Sequence, residues 1–172
     1  KDVVGVCDPV FLLPEEEYEK IAKPLKAKKP YLLVYSVINN QDMLRSAKKY
    51  AEQKGLTLVE ICPNKKRSEN HIQFTEKSPE EFLGAIKDAE IVVTNSFHGT
   101  AFSLIFQKEI YVFDNKARGS RITNILNKAG LEGRIVEDEI EEALPIDYEI
   151  VNEKLNDYIE PSKQFLLSAL SA

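Results

Sequence analysis

Apolar runs separated by stretches of helical period set the plan of this chain. Residues 31–37 (Tyr-Leu-Leu-Val-Tyr-Ser-Val) are almost continuously apolar, as expected of a strand buried on both faces. Residues 41–54 then place Met43, Leu44, Ala47, Tyr50 and Ala51 on one helical face, and Gly55 ends that helix. Residues 56–62 read as a second strand, and the polar stretch 63–76 as a loop. Ser78, Pro79 and Glu81 supply an N-cap, a proline at the first helical position and a capping-box glutamate, which predicts a helix to about Asp88. Residues 91–94 are a short β-branched strand. A helix follows around residues 101–106, then a strand at 110–113 and a helix at 120–128 ended near Gly130. Residues 134–136 make a last short strand. Residues 151–170 carry a terminal helical pattern that Pro161 is expected to interrupt.

The first thirty residues follow a different pattern. Residues 7–14 are apolar but bracketed by Pro9 and Pro14, and Glu15, Glu16 and Glu17 then look like the acidic first turn of a short helix reaching about Lys23. Pro24 and Pro30 close the region, and the lysine-rich run 23–29 reads as a solvated surface loop. Residues 1–30 are therefore expected to be a connector with a short helix, and residues 31–172 a domain. Strands alternating with helices indicate βαβ units, a mostly parallel sheet and a Rossmann-like three-layer α/β fold. In such sheets ligands bind beyond the C-terminal ends of the strands, at a switch point of strand order. Candidate chemistry is therefore sought where strands end.

The most informative strand end is Thr94-Asn95-Ser96-Phe97-His98-Gly99-Thr100. Asn95 or Ser96 can cap the next helix, leaving N–H groups near Phe97, His98 and Gly99 aimed at the cleft as an anion site. Gly99 costs a helix about 1 kcal/mol relative to alanine, which suggests a packing or a ligand reason for it. His98 can donate to a phosphate or carboxylate, or exchange a proton near neutral pH. A capped helix start with a locally bonded histidine accounts for the same spacing. Lys116, Arg118 and Arg121 follow the next strand on the same rim, and arginine suits paired oxygens. A solvated basic loop is the plainer account of that cluster. Ser36, Asn39 and Asn40 follow the first strand, where helix capping explains them as well as ligand binding does. Lys65, Lys66, Arg67 and His71 read as a surface loop.

Composition narrows the function classes. With 23 Lys+Arg against 28 Asp+Glu, the net charge of −5 argues against a nucleic-acid partner but leaves room for a local basic pocket. No apolar stretch is long enough for a membrane span, and the opening residues are too short and too charged for a signal peptide. Cys7 and Cys62 lie far apart, and the only histidines are His71 and His98, so a zinc cluster is not expected. Two reduced thiols fit a cytoplasmic protein better than a single disulfide does.

Residues 89–104 (Ala-Glu-Ile-Val-Val-Thr-Asn-Ser-Phe-His-Gly-Thr-Ala-Phe-Ser-Leu), followed by Tyr111-Val112-Phe113, resemble the signature of the polysaccharide pyruvyl transferases. Asp8-Pro9-Val10-Phe11-Leu12-Leu13 looks like the stretch leading into that family's C-terminal half. The resemblance implies one half of a GT-B-like fold and transfer of pyruvate from phosphoenolpyruvate to a cell-surface or capsular glycan as a ketal. It implies a glycan or lipid-linked sugar acceptor, no cofactor beyond the donor substrate, and an N-terminal domain of the same protein as a partner. In that reading His98 contacts the donor phosphate or acts as general acid, while Asn95, Ser96, Gly99 and Thr100 hold the anion. Lys116 with Arg118 or Arg121 would neutralise the departing phosphate. Two other classes stay open: a GT-B half that uses a nucleotide-sugar, with Glu137, Asp138 or Glu139 taking ribose hydroxyls, and a non-catalytic binding domain.

Overall fold

The computed structural model describes residues 4–62, 72–74, 77–113 and 120–171. Six parallel strands form one sheet: β1 (Tyr31–Tyr35), β2 (Thr57–Ile61), β3 (Ile72–Phe74), β4 (Ile91–Thr94), β5 (Glu109–Phe113) and β6 (Ile135–Val136). Their order is β3-β2-β1-β4-β5-β6. The chain steps outward from β1 to β3, returns to lay β4 beside β1, and steps outward the other way. The switch point therefore lies between β1 and β4, whose last residues, Tyr35 and Thr94, are in register.

The helices are α1 (Glu15–Glu19), α2 (Gln41–Lys54), α3 (Pro79–Lys87), α4 (Phe97–Ile105), α5 (Ser120–Ala129) and α6 (Tyr148–Leu170). Leu32 and Val34 of β1 pack against Met43, Ala47, Tyr50 and Ala51 of α2. Tyr31 and Leu33 point the other way, to Leu83 and Ile86 of α3 and Phe102 of α4. Both faces of β1 are thus covered, which is why its sequence is apolar throughout rather than alternating. β5 repeats the arrangement, with Ile110 and Val112 against Ile122 and Leu126 of α5. The helix ends match their residues. Asn40 accepts the N–H groups of Asp42 and Met43, Gly55 turns left-handed at φ 66°, and Ser78 with Glu81 closes a capping box.

Several expectations need correction. Residues 72–74 form β3 within the stretch read as a loop; pairing with the open edge of β2 makes so short a strand possible. The helix expected from about Ala101 begins at Phe97, because Ser96 caps it a turn earlier. The first helix stops at Glu19, short of Lys23, and β1 stops at Tyr35. In the run 23–29, Leu25 is buried in the core rather than solvated. The last strand is only Ile135–Val136, because a 3-10 turn takes up Glu132–Arg134. Pro161 does not interrupt the terminal helix, which runs unbroken from Tyr148. Val151, Leu155, Ile159 and Ser162 bury one face of it on both sides of the proline, and that packing keeps the segment helical.

The first segment packs on the same body. Cys7 and Phe11 join Ala101, Leu104, Ile125, Val151, Leu155 and Ile159 in one apolar cluster. The Cys7 N–H donates to Ser162 Oγ at 2.9 Å, and the Tyr158 hydroxyl donates to the Val6 carbonyl at 3.2 Å. Cys7 and Cys62 are both buried, and neither is in a disulfide. Among the described residues no helix is long and apolar enough to cross a membrane.

Candidate functional site

The segments leaving β1 and β4 meet at the switch point. The Asn95 side chain accepts from the Val37 N–H at 3.0 Å and donates to the Ile38 carbonyl at 2.7 Å, tying the two strand ends together. The Thr94 hydroxyl donates to the Tyr35 carbonyl at 2.7 Å and accepts the Ser96 N–H at 3.1 Å. Ser96 is buried, and its Oγ accepts the Gly99 N–H at 3.3 Å as the cap of α4. Burial pushes the Tyr35 phenol above its ordinary range, with a bond to the Ser96 hydroxyl opposing the shift.

This bonding sorts the residues of the turn. The N–H of Gly99 is spent on the cap, so only those of Phe97 and His98 have no acceptor among the described residues. Gly99 answers to packing: a Cβ there would lie 2.9 Å from Tyr35 Cδ1 and 3.1 Å from Thr94 Cβ. Thr100 is fully buried, and its hydroxyl donates to the Ser96 carbonyl at 3.0 Å. Asn95, Ser96, Gly99 and Thr100 thus build the helix start, and His98 is the exposed member that faces outward.

His98 and Arg121 converge on a third residue, Asp8. Arg121 Nη2 lies 2.7 Å from Asp8 Oδ2, and His98 Nε2 lies 3.9 Å from Asp8 Oδ1. Asp8 Oδ1 also accepts the Val10 N–H at 3.2 Å, capping the 3-10 turn Pro9–Leu12. The carboxylate is 15% exposed, whereas the side chains of His98 and Arg121 are 52% and 61% exposed. The Arg121 guanidinium sits 4.0 Å over the Phe97 ring, whose edge meets His98 at a centroid distance of 5.4 Å. Beside them is a pocket of about 260 Å³ lined by Cys7, Asp8, Phe97, Arg121, Asn124 and Tyr158. The rim therefore offers two backbone donors, an imidazole and a guanidinium, a set able to hold a small dianion.

Sequence reasoning missed Asp8. Its only signal was a place in the Asp8-Pro9-Val10-Phe11 stretch, far along the chain from the residues it touches. Ser36 is buried in a separate pocket of about 260 Å³ with Tyr35, Ile61, Cys62, Lys77 and Phe82. Asn39 accepts from the Gln41 side chain, and Asn40 caps α2. Glu137, Asp138 and Glu139 are exposed after β6, and Glu139 pairs with Lys49. Lys116, Arg118, Lys65, Lys66, Arg67 and His71 lie outside the described residues. Among the described residues no three His, Cys, Asp or Glu side chains are grouped to hold a metal. A larger pocket of about 570 Å³, lined in part by Tyr50, Lys54, Glu90, Glu109 and Tyr111, opens at the opposite, N-terminal ends of the strands. That is the side of a parallel sheet where ligands seldom sit.

A family model described as polysaccharide pyruvyl transferase matches residues 1–117 of the 172. No curated protein matches the chain. Among solved structures it is similar to the dodecameric iron-containing heptosyltransferase TibC, crystallised with ADP-D-beta-D-heptose. The identity is 9% and the TM-score 0.45, over 80% of this chain and 47% of that one. The chain thus spans about half the length of that structure.

Proposed function

The chain belongs to the polysaccharide pyruvyl transferase family, and from that we propose that it is the donor-binding half of an enzyme moving pyruvate from phosphoenolpyruvate to a glycan sugar as a ketal. The acceptor is a glycan or a lipid-linked sugar, and a second, N-terminal half completes the cleft. No cofactor joins the donor. Cys7 and Cys62, buried and not disulfide-bonded, suit the reducing cytoplasm.

One observation carries the reading. His98 and Arg121, from the starts of α4 and α5, meet at one rim beside the N–H groups of Phe97 and His98, which have no acceptor among the described residues. Phosphoenolpyruvate presents a phosphate and a carboxylate on a small frame. In pyruvyl transfer its methylene takes a proton and a sugar hydroxyl attacks the neighbouring carbon. Phosphate then leaves as a second sugar hydroxyl attacks the same carbon and closes the ketal, the hydroxyl protons replacing the one delivered to the methylene and going with the phosphate. Arg121 or Arg118, with Lys116, balances the charge of the departing phosphate. His98 binds that phosphate or delivers the proton.

Calorimetric titration of phosphoenolpyruvate into this chain tests the reading. A charge-assisted bond contributes about 1.5–3 kcal/mol, so His98→Ala and Arg121→Ala should each weaken binding about tenfold or more. Unchanged affinity in both variants would remove the assignment. Tighter binding of a nucleotide-sugar than of phosphoenolpyruvate would move the chain to the glycosyltransferase reading.

A further inference from the structure

We infer that Asp8 is a positioning residue of this site, holding the Arg121 guanidinium against Phe97 in the orientation that meets the donor; the inference rests on the donor-binding reading above. Four observations lead to it. Arg121 is mostly exposed, and an unrestrained arginine side chain samples many rotamers. Two contacts limit that freedom, the 2.7 Å bond to Asp8 Oδ2 and the stacking at 4.0 Å on Phe97. Asp8 itself is fixed. Its other oxygen caps the Val10 N–H, and the residue before it is bonded to Ser162 in α6. Finally, the guanidinium has five donors, and the Asp8 bond uses Nη2, leaving others for an anion.

Charge alone argues the opposite way. A carboxylate beside an anion site repels the ligand, so removing it should tighten binding unless its positioning of Arg121 matters more. The two accounts differ in sign, which makes the experiment decisive. Asn caps a turn as well as Asp does, so Asp8→Asn keeps the Val10 bond while turning an amide donor or a neutral oxygen toward Arg121.

Two measurements on the 172-residue chain decide it. In nuclear magnetic resonance, the Arg121 Nε–H signal, assigned by its loss in Arg121→Lys, should be shifted upfield by the Phe97 ring. In Asp8→Asn it should move toward the ordinary arginine position. In calorimetry, Asp8→Asn should weaken phosphoenolpyruvate binding about three- to tenfold, and should not weaken it in an Arg121→Gln background. A resonance that stays upfield in Asp8→Asn, or binding that tightens, overturns the inference. If the unaltered chain binds no phosphoenolpyruvate, the donor reading falls, while the resonance still decides whether Asp8 holds Arg121.

Discussion

Gly99 sits where α4 crosses the ends of β1 and β4, and the space for a side chain there is already taken. Thr94 cannot yield, because its hydroxyl is committed both to the Tyr35 carbonyl and to the Ser96 N–H. Alanine favours a helix over glycine by about 1 kcal/mol, but overpacking a tight contact costs about 1–3 kcal/mol. Gly99→Ala should therefore lower stability by up to about 2 kcal/mol in urea denaturation, and a raised midpoint would mean that the contact relaxes freely. At this scale the sequence was half readable. That His98 and Arg121 share one rim was legible because both follow strand ends of a parallel sheet. That Gly99 serves packing could not, since Tyr35 and Thr94 reach it only in the folded state. Asp8 was hidden for the same reason.

α6 shows how burial outweighs local preference. A proline inside a helix costs about 3 kcal/mol through a lost hydrogen bond and a clash with the preceding turn. The helix nevertheless continues through Pro161, because Val151, Leu155, Ile159 and Ser162 keep one stripe buried. Pro161→Ala should then raise stability by about 1–3 kcal/mol, read as a higher urea midpoint, and a lower midpoint would show that the proline has a packing role. The spacing of the buried residues was legible in the sequence, but the weight of that burial against the proline was not. β3 was illegible for a different reason: three residues carry too little pattern, and the strand exists through its pairing with β2. The capping box at Ser78 and Glu81 is purely local, and there sequence and structure agree.

Over the whole molecule, buried tyrosines set the alkaline limit. Tyr31 donates to the Ala85 carbonyl at 2.7 Å and Tyr148 to the Lys108 carbonyl at 2.5 Å, and burial raises the pKa of both phenols far above the usual tyrosine range. In the unfolded chain they titrate near 10. Above about pH 10 the unfolded state loses protons that the folded state keeps, so stability is intact below that value and falls as pH rises through it. Urea midpoints measured from pH 8 to about 11.5 should be level at first and then decline, less steeply in Tyr148→Phe; a flat profile would contradict the burial of these phenols. The fold class was the most legible property of all, because buried strands alternating with amphipathic helices leave few other arrangements. The bond between Cys7 and Ser162 also sets a timetable. The ribosome makes Asp8 first, His98 and Arg121 later, and Ser162 later still. The segment that presents Asp8 is clamped by a helix made after both of its partners, so the rim is finished only once α6 has emerged and docked.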